Sequence, residues 1–383
     1  MDFVMSNKEP PFTVGVEEEY LLVDRETGEV CVDPPAQLLK ECTESGAGQI
    51  SPEFLRSQIE VATRVCRSMS EVRADLARLR GIVVEVAGRH GLAPVAASTH
   101  PFSRATAQKP TDRDHYAAMA QEMQAAARRL MICGMHVHVG IDDDDLRIDL
   151  QNQLSYFLPH LLALSCSSPF WEGERTGLMS FRLTVYNSLP RTGLPERFES
   201  YLEFRRHLDT LIRNGLIEDT TKIWWDLRPS PRYPTLETRI MDCCTSLDDS
   251  VCVAALNVAL TRMLYRLRLA NQCWRRYPNV LIAENRWRAM RYSFDERFLD
   301  LAKGEMVGFP ALLDELIELV REDAEALCCS REVAHARKIL MRGTSAHRQL
   351  AVYDDARARG ASDREALKAV VGFLVNETAS GIG

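Results

Sequence analysis

The chain has 383 residues, 46% of them hydrophobic and 26% charged, proportions that allow a substantial core and exclude extended disorder. A formal net charge of −7, with no Lys/Arg stripe interleaved with aromatics, disfavours a general nucleic-acid binder. The eleven cysteines are scattered without CxxC spacing, so reduced structural thiols are expected. The opening stretch, MDFVMSNKEPPF, has no charged n-region or apolar h-region, and no apolar run reaches transmembrane length. The expected location is the cytoplasm, with neither membrane nor nucleic acid as partner.

From Thr13 to Val23 the pattern alternates, with Val14, Val16, Tyr20 and Leu22 on one face and Glu17 and Glu19 on the other. That is the period of a half-buried strand, and Glu18 is the exception, a carboxylate on the apolar face. Asp24 to Glu29 reads as a turn into a second strand around Val30 to Val32, giving a hairpin. Ser51 to Thr63 is strand-like and carries Glu53 and Glu60. Ser68 and Glu71 form a capping box, after which Val72, Leu76, Leu79, Val83 and Val86 recur at helical spacing until Gly88 and Gly91.

A strand over Leu92 to Ala97 precedes a helix expected from Thr111 to about Leu130. Ile132 to Ile141 alternates again, placing Gly134, His136, His138 and Gly140 on one face. Asp142 to Asp145 cap a helix reaching Ser165 and divided at Pro159, and these acids read as dipole-favouring and solvated. Ser168 to Pro195, rich in Gly, Pro and Arg, is too long for a simple connection and reads as a functional loop. Lys222 to Arg228 and Pro234 to Asp242 read as strands around a Pro-rich turn, with Glu237 and Arg239 on one face of the second. From Ser246 the pattern is helical, in segments to about Gln272 and over 284–291, 310–327, 332–341 and 363–377. With no repeat or linker, the expectation is one α+β domain over residues 1–383, its strands drawn from distant parts of the chain and its helices on one face.

Carboxylates at i and i+2 of one strand repel unless a cation or solvent separates them, so Glu17 and Glu19 mark a metal site or a solvated face. His136 and His138 point the same way. No Cys or third His lies at zinc-ligand spacing, which leaves mixed nitrogen and oxygen ligation of magnesium or manganese, or a wet face. Glu60, inside the apolar QIEVAT, requires a partner if buried. Glu53 lies seven residues earlier and shares its face only if a turn or bulge intervenes. Glu237 and Arg239, near Arg228 and Arg232, form either a salt bridge or a phosphate- or carboxylate-recognising cluster; Arg175, Arg182 and Arg191 in the long loop form either a second such cluster or solvated surface residues.

In order along the chain, GVEEEYLLVD, QIEVAT, GMHVHVG, SPFWEGERTGLMSFR, LPRTGLP, WWDLRPSPRYPTLETRIMD and AENRWRAMR closely resemble the type 2 glutamate–cysteine ligase family of carboxylate–amine ligases, over roughly residues 12–350. The resemblance implies a glutamine synthetase-like catalytic fold, a curved, mainly antiparallel sheet forming a funnel backed by helices. It implies ATP as a substrate and Mg²⁺, or Mn²⁺, held by Glu17, His136 and Glu237 at one site and by Glu19, Glu53 and Glu60 at another. Arg239 would face the transferring phosphoryl group, and Arg228 and Lys222 would contact nucleotide or phosphate. His138, Arg182 and Arg191 would complete the substrate site, Asn285 and Arg288 on one helix face would either join it or serve as a helix cap or surface pair, and a homodimer is implied. The implied reaction joins a carboxylate to an amine through an acyl phosphate, nominally glutamate to cysteine, which explains the lack of a GxxxxGK[ST] loop. Two alternatives keep this architecture: phosphoryl transfer as in guanidino kinases, and a non-catalytic metal- or amino-acid-binding homologue.

Overall fold

The computed structural model describes residues 9–382, so the first eight residues, within the stretch read above for a targeting signal, lie outside the described residues. Its frame is a seven-stranded sheet built around β1 (Val14–Asp24). The strands that follow are β2 (Ile50–Pro52), β3 (Gln58–Ala62), β4 (Leu92–Val95) and β5 (Met135–Gly140). Two small pairs come next: a hairpin of β6 (Phe170–Trp171) with β7 (Glu174–Arg175), and a parallel pair of β8 (Thr192–Gly193) with β9 (Trp224–Trp225). β10 (Leu227–Pro229) and β11 (Thr235–Thr238) rejoin the main sheet, and β12 (Phe298–Asp300) pairs with β13 (Glu305–Val307). The main sheet runs β10–β11–β5–β1–β3–β2, with β4 also on β1, and every pairing in it is antiparallel.

This register sets the chemistry of one sheet face. Glu17 stands opposite His136, Glu19 opposite Glu60, Glu237 opposite His138 and Arg228 opposite Glu237. Directly opposed residues have Cβ atoms about 5 Å apart, so these side chains necessarily meet.

The other face is apolar and is covered by helices. In order they are α1 (Ala36–Ser45), α2 (Met69–Arg89), α3 (Asp114–Met123), α4 (Asp144–Leu154), α5 (Leu158–Ser165), α6 (Arg182–Tyr186), α7 (Tyr201–Arg213), α8 (Leu247–Leu269) and α9 (Asn279–Tyr292). The C-terminal part adds α10 (Phe309–Leu319), α11 (Arg321–Ala326), α12 (Ser330–Ala334), α13 (Ala336–Arg342), α14 (Ser345–Ala358) and α15 (Asp363–Thr378). By length and composition α8 qualifies as a membrane span, but 83% of its apolar window is buried among α2, α4, α5, α11 and α12, the position of a core helix. One apolar core runs from Phe12 to Leu374, and a smaller cluster joins Ile148 of α4 to Phe204 and Leu208 of α7.

Glu18, the carboxylate on the apolar face, is fully buried and paired. It accepts hydrogen bonds from Nε (2.9 Å) and Nη2 (2.7 Å) of Arg80 on α2 and from the hydroxyls of Tyr20 and Ser250. Arg80 also donates to the carbonyls of Thr245 and Cys244, tying β1, α2 and the start of α8 together.

Several elements differ from their sequence expectation. The hairpin partner of β1 shrinks to a single bridge between Val23 and Val30. Thr111 does not open α3; its hydroxyl donates to the carbonyl of Glu53 (2.6 Å), and α3 starts at Asp114 and stops at Met123, where Gln124 adopts a positive φ of 47°. The long loop holds β6, β7, α6 and β8, and the expected strand from Lys222 begins with a 3₁₀ turn over Thr220–Lys222. Ser68 caps α2 as expected, accepting from the backbone N–H of Glu71, while α1, α7 and α14 were not expected.

Candidate active site

Two groups of side chains assemble on the polar face of the sheet. Glu17, His138 and Glu237 form one and Glu19, Glu53 and Glu60 the other, and within each group one donor atom per residue lies within 4.8 Å of the rest. β1 supplies a glutamate to each group, because alternate residues of a strand share a face.

Glu53 reaches its group through a turn. β2 ends at Pro52, the chain reverses with the N–H of Gln58 on the carbonyl of Leu55 (2.9 Å), and β3 brings Glu60 back beside β2. The Glu53 carboxylate then accepts from its neighbour's N–H at Phe54 (2.8 Å) and from the Tyr116 hydroxyl (3.0 Å). The seven-residue spacing that forbids a shared face in a straight strand is thereby resolved.

The groups are electrostatically unlike. In the first, burial opposes ionisation of Glu17, yet hydrogen bonds with His136 and His138 hold its carboxyl well below the usual range. Glu237 is likewise held low against burial by the charges of Arg239 and Arg228. In the second, burial and then the charge of Glu53 push Glu19 up to about 7, and burial followed by repulsion from Glu17, Glu53 and Glu19 carries Glu60 well above its ordinary value. Burial also raises Glu53. Three crowded carboxylates with raised affinity for protons are a set that a divalent cation relieves, and hard oxygen donors suit Mg²⁺ or Mn²⁺.

The first group's donor set fits as well. Nδ1 of His138 is engaged by the Thr235 hydroxyl (2.9 Å), which leaves Nε2 buried and facing the Glu17 carboxylate at 3.3 Å. An imidazole with one nitrogen held by a hydroxyl and the other turned to a carboxylate of the same group is oriented for ligation.

The geometry groups His138, where the resemblance implied His136, with Glu17 and Glu237. His136 turns Nδ1 to Glu17 (3.0 Å) and lines the adjoining cavity; burial and the Arg239 charge bring it down to about 4, so it stands neutral. Arg228 is not free for phosphate. Its Nε (2.9 Å) and Nη2 (3.2 Å) clasp Glu237, and Nη1 donates to the carbonyls of Thr221 and Ile223. Arg239 bridges Glu237 and the Tyr186 hydroxyl (3.4 Å) and faces the cavity.

Arg182 is buried with its Nη atoms on the carbonyls of Arg239, Ile240 and Met241 (3.2–3.3 Å), while its Nε is unpartnered. Gly134 makes room for it: a Cβ there would lie 2.4 Å from Arg182 Nη2. Arg191 donates to the Lys222 carbonyl (2.9 Å) and stacks 5.6 Å over Trp224, outside the cavity lining. Asn285 and Arg288 fall away from the site altogether. Asn285 clasps both the N–H and the carbonyl of Leu299 (2.8 Å each), and Arg288 binds the carbonyl of Arg297, so both brace the chain after α9.

A cavity of about 230 Å³ adjoins the groups, with Glu19, Glu53, His136, Arg182, Lys222 and Arg239 in its wall. Tyr116, Gln58, Tyr186 and Trp224 also line it and were not singled out from sequence. Gln58 and Trp224 lie inside the quoted motifs, the one signal that marks them; nothing in the sequence around Tyr116 distinguishes it.

The model of glutamate–cysteine ligase family 2 matches residues 13–372. The chain belongs to this family. It is 55% identical over 380 residues to a Rhodospirillum rubrum protein, with 98% of each chain covered, and 50% identical over 366 residues to one from Jannaschia sp., with 96% of each covered. Both carry the name glutamate–cysteine ligase 2 as a provisional assignment. Among solved structures the chain resembles a bifunctional glutathione synthetase from Pasteurella multocida (TM-score 0.69, 14% identity, 95% of this chain and 52% of that one). It also resembles a glutamate–cysteine ligase from Francisella tularensis in complex with AMP (TM-score 0.68, 13% identity, 98% of this chain and 91% of that one). At such identities the likeness shows the fold, and family member and structural neighbours alike have the glutamine synthetase-like architecture expected from the motifs.

Proposed function

We propose that this family member is an ATP-dependent ligase that joins an amino-acid carboxylate to an amine through an acyl phosphate, glutamate and cysteine being the pair for which its relatives are named. The observation that carries the reading is the juxtaposition of two acidic groups on one sheet face with Arg239, whose charge acts on Glu237, Glu19 and Glu53 alike. Membership of a ligase family and the AMP complex of the Francisella tularensis neighbour support the choice of nucleotide.

In the first half-reaction a carboxylate oxygen of the substrate attacks the γ-phosphorus of ATP and ADP departs. In the second the amine nitrogen attacks the acyl carbon and phosphate leaves with that same oxygen. No protein nucleophile is needed, so catalysis reduces to positioning and charge stabilisation. Arg239, permanently cationic, neutralises charge on the transferring phosphoryl oxygens, and Glu237 and Tyr186 fix its direction. Arg228 holds Glu237 through the paired hydrogen bonds described above. Neutral His136 positions Glu17, which with His138 and Glu237 would hold one divalent ion, as Glu19, Glu53 and Glu60 would hold another. When bound, Mg²⁺ supplies charge neutralisation at the phosphate oxygens.

The test is a phosphate-release screen with MgATP over pairs of acids and amines, with products weighed by mass spectrometry. The expected product weighs the sum of acid and amine minus water and is lost in a Glu237→Ala variant. Phosphate release that never depends on an amine would instead favour a phosphotransferase or ATPase.

A further inference from the structure

The cavity beside the acidic groups draws its lining from two sources. The sheet and α6 contribute charge through Glu19, Glu53, Arg182 and Arg239. The segments outside the sheet contribute mostly apolar surface: Met119 of α3, Leu130 and Ile132 between α3 and β5, Leu189 before β8, and Trp224 of β9, with Tyr116 of α3 and Thr221 as their polar members. Among the described residues lining the cavity, these outside segments add no carboxylate, and the cation they add is Lys222. Leu130, Ile132 and Leu189 are nearly buried, yet they border the cavity and not only other core side chains.

Such a wall selects. A polar group placed against Met119, Leu130, Ile132 and Leu189 gives up water and gains no hydrogen bond, whereas an apolar group gains on burial, about tenfold in kcat/KM for each added methylene. The cavity volume of about 230 Å³, below the ~300–1,000 Å³ of drug-sized pockets, suits an amino-acid-sized molecule. The nitrogen that attacks the acyl carbon must come beside the charged set, and the rest of that molecule then lies along the apolar set.

We propose that the amine substrate is a primary amine bearing an apolar group of leucine to phenylalanine size, lodged against Met119, Leu130, Ile132 and Leu189. This rests on the ligase reading above. The amine, having lost its ammonium proton to solvent, forms the N–C bond. The C–O bond to phosphate breaks, phosphate takes the electron pair, and the second proton of the nitrogen goes to solvent. Lys222 at the edge of the apolar set suits the carboxylate of an α-amino acid, so free amino acids and simple amines are separate arms of the test.

The full-length chain is given MgATP and glutamate with glycine, cysteine, lysine, leucine, phenylalanine or isoamylamine, and amide product is followed by mass spectrometry. Leucine or phenylalanine is expected to exceed glycine, cysteine and lysine at least about tenfold in kcat/KM. Isoamylamine matching leucine marks a simple-amine site, and isoamylamine falling below it marks an amino-acid site. Met119→Gln, on the half-buried side of α3, should raise KM for leucine and leave that for ATP unchanged. Glycine, cysteine or lysine equalling leucine overturns the proposal. Calorimetric titration of leucine and glycine into the protein with magnesium and a non-hydrolysable ATP analogue needs no turnover. At least tenfold tighter leucine binding without ligation would sink the ligase reading and leave the apolar site standing, and equal binding overturns the proposal in either case.

Discussion

Arg80→Met isolates the device that fixes the strand carrying Glu17 and Glu19. The substitution keeps an unbranched side chain of similar reach but strands the Glu18 carboxylate, which is wholly buried. Breaking a buried ion pair from one side costs about 3–5 kcal/mol, and the carbonyls of Thr245 and Cys244 lose their bonds from Arg80 as well. With a urea m-value of roughly 3 kcal/mol/M, a loss of about 4 kcal/mol lowers the midpoint by roughly 1.3 M. Fluorescence of the five tryptophans reads it. The pH dependence adds a second signature. In the native protein burial raises Glu18, but the Arg80 charge and the hydrogen bonds from Arg80, Ser250 and Tyr20 outweigh it, so the folded value lies below the ordinary one. Its contribution is then present above the unfolded value, near ~4.3, and fades as pH falls through the folded one. Without Arg80 only the hydrogen bonds from Ser250 and Tyr20 oppose burial, the folded value rises, and stability is lost as pH rises. The deficit of the variant should therefore be larger at pH 8 than at pH 5, and adding Glu18→Gln should recover part of it. A deficit under about 1 kcal/mol, or one independent of pH, refutes the reasoning.

Glu17→Gln removes an anion that two imidazoles hold in place, and it should raise the Mg²⁺ concentration for half-maximal activity at least about tenfold with little change in Tm; unchanged magnesium dependence removes Glu17 from the ligand set. In EDTA, Glu19 at about 7 lies above its ordinary 4.5, so its contribution to stability is present below 4.5 and lost as pH rises through 7. Calorimetric scans from pH 5 to 8 should show Tm falling across that window, and saturating Mg²⁺, which binds the ionised carboxylates, should abolish the fall. Gly134→Ala places a Cβ against Arg182, and an activity loss of at least tenfold with a stability cost of ~1–3 kcal/mol is expected; unaltered kinetics would show that Arg182 needs no such clearance. Asn285→Ala should cost ~1–3 kcal/mol through its lost bonds to Leu299 while leaving KM for every substrate unchanged.

The readable part of the site was the part written in strand parity. Glu17, Glu19, His136, His138 and Glu237 share a face because alternate residues of a strand must, and the antiparallel register only had to bring three strands together. What parity does not encode is rotamer and turn. Whether His136 or His138 joins Glu17 and Glu237 depends on the hydrogen bond from Thr235, and Glu53 depends on a five-residue reversal whose anchors, Thr111 and Tyr116, lie over fifty residues away. Arg228 shows the limit of composition: an arginine near prolines has the chemistry to bind phosphate, but the strand opposite presents Glu237 first. The oddity of Glu18 on the apolar face was visible in the sequence, and its partner was not, since Arg80 sits on a helix whose spacing places it among apolar residues.

The ligase account stands or falls on the path of one oxygen atom. With a donor acid labelled by ¹⁸O in both carboxylate oxygens, MgATP and an amine, the released phosphate is to be weighed alongside the amide product. Activation through an acyl phosphate predicts one ¹⁸O in each phosphate and one retained in each amide. Phosphate free of label, released whether or not amide forms, would contradict it.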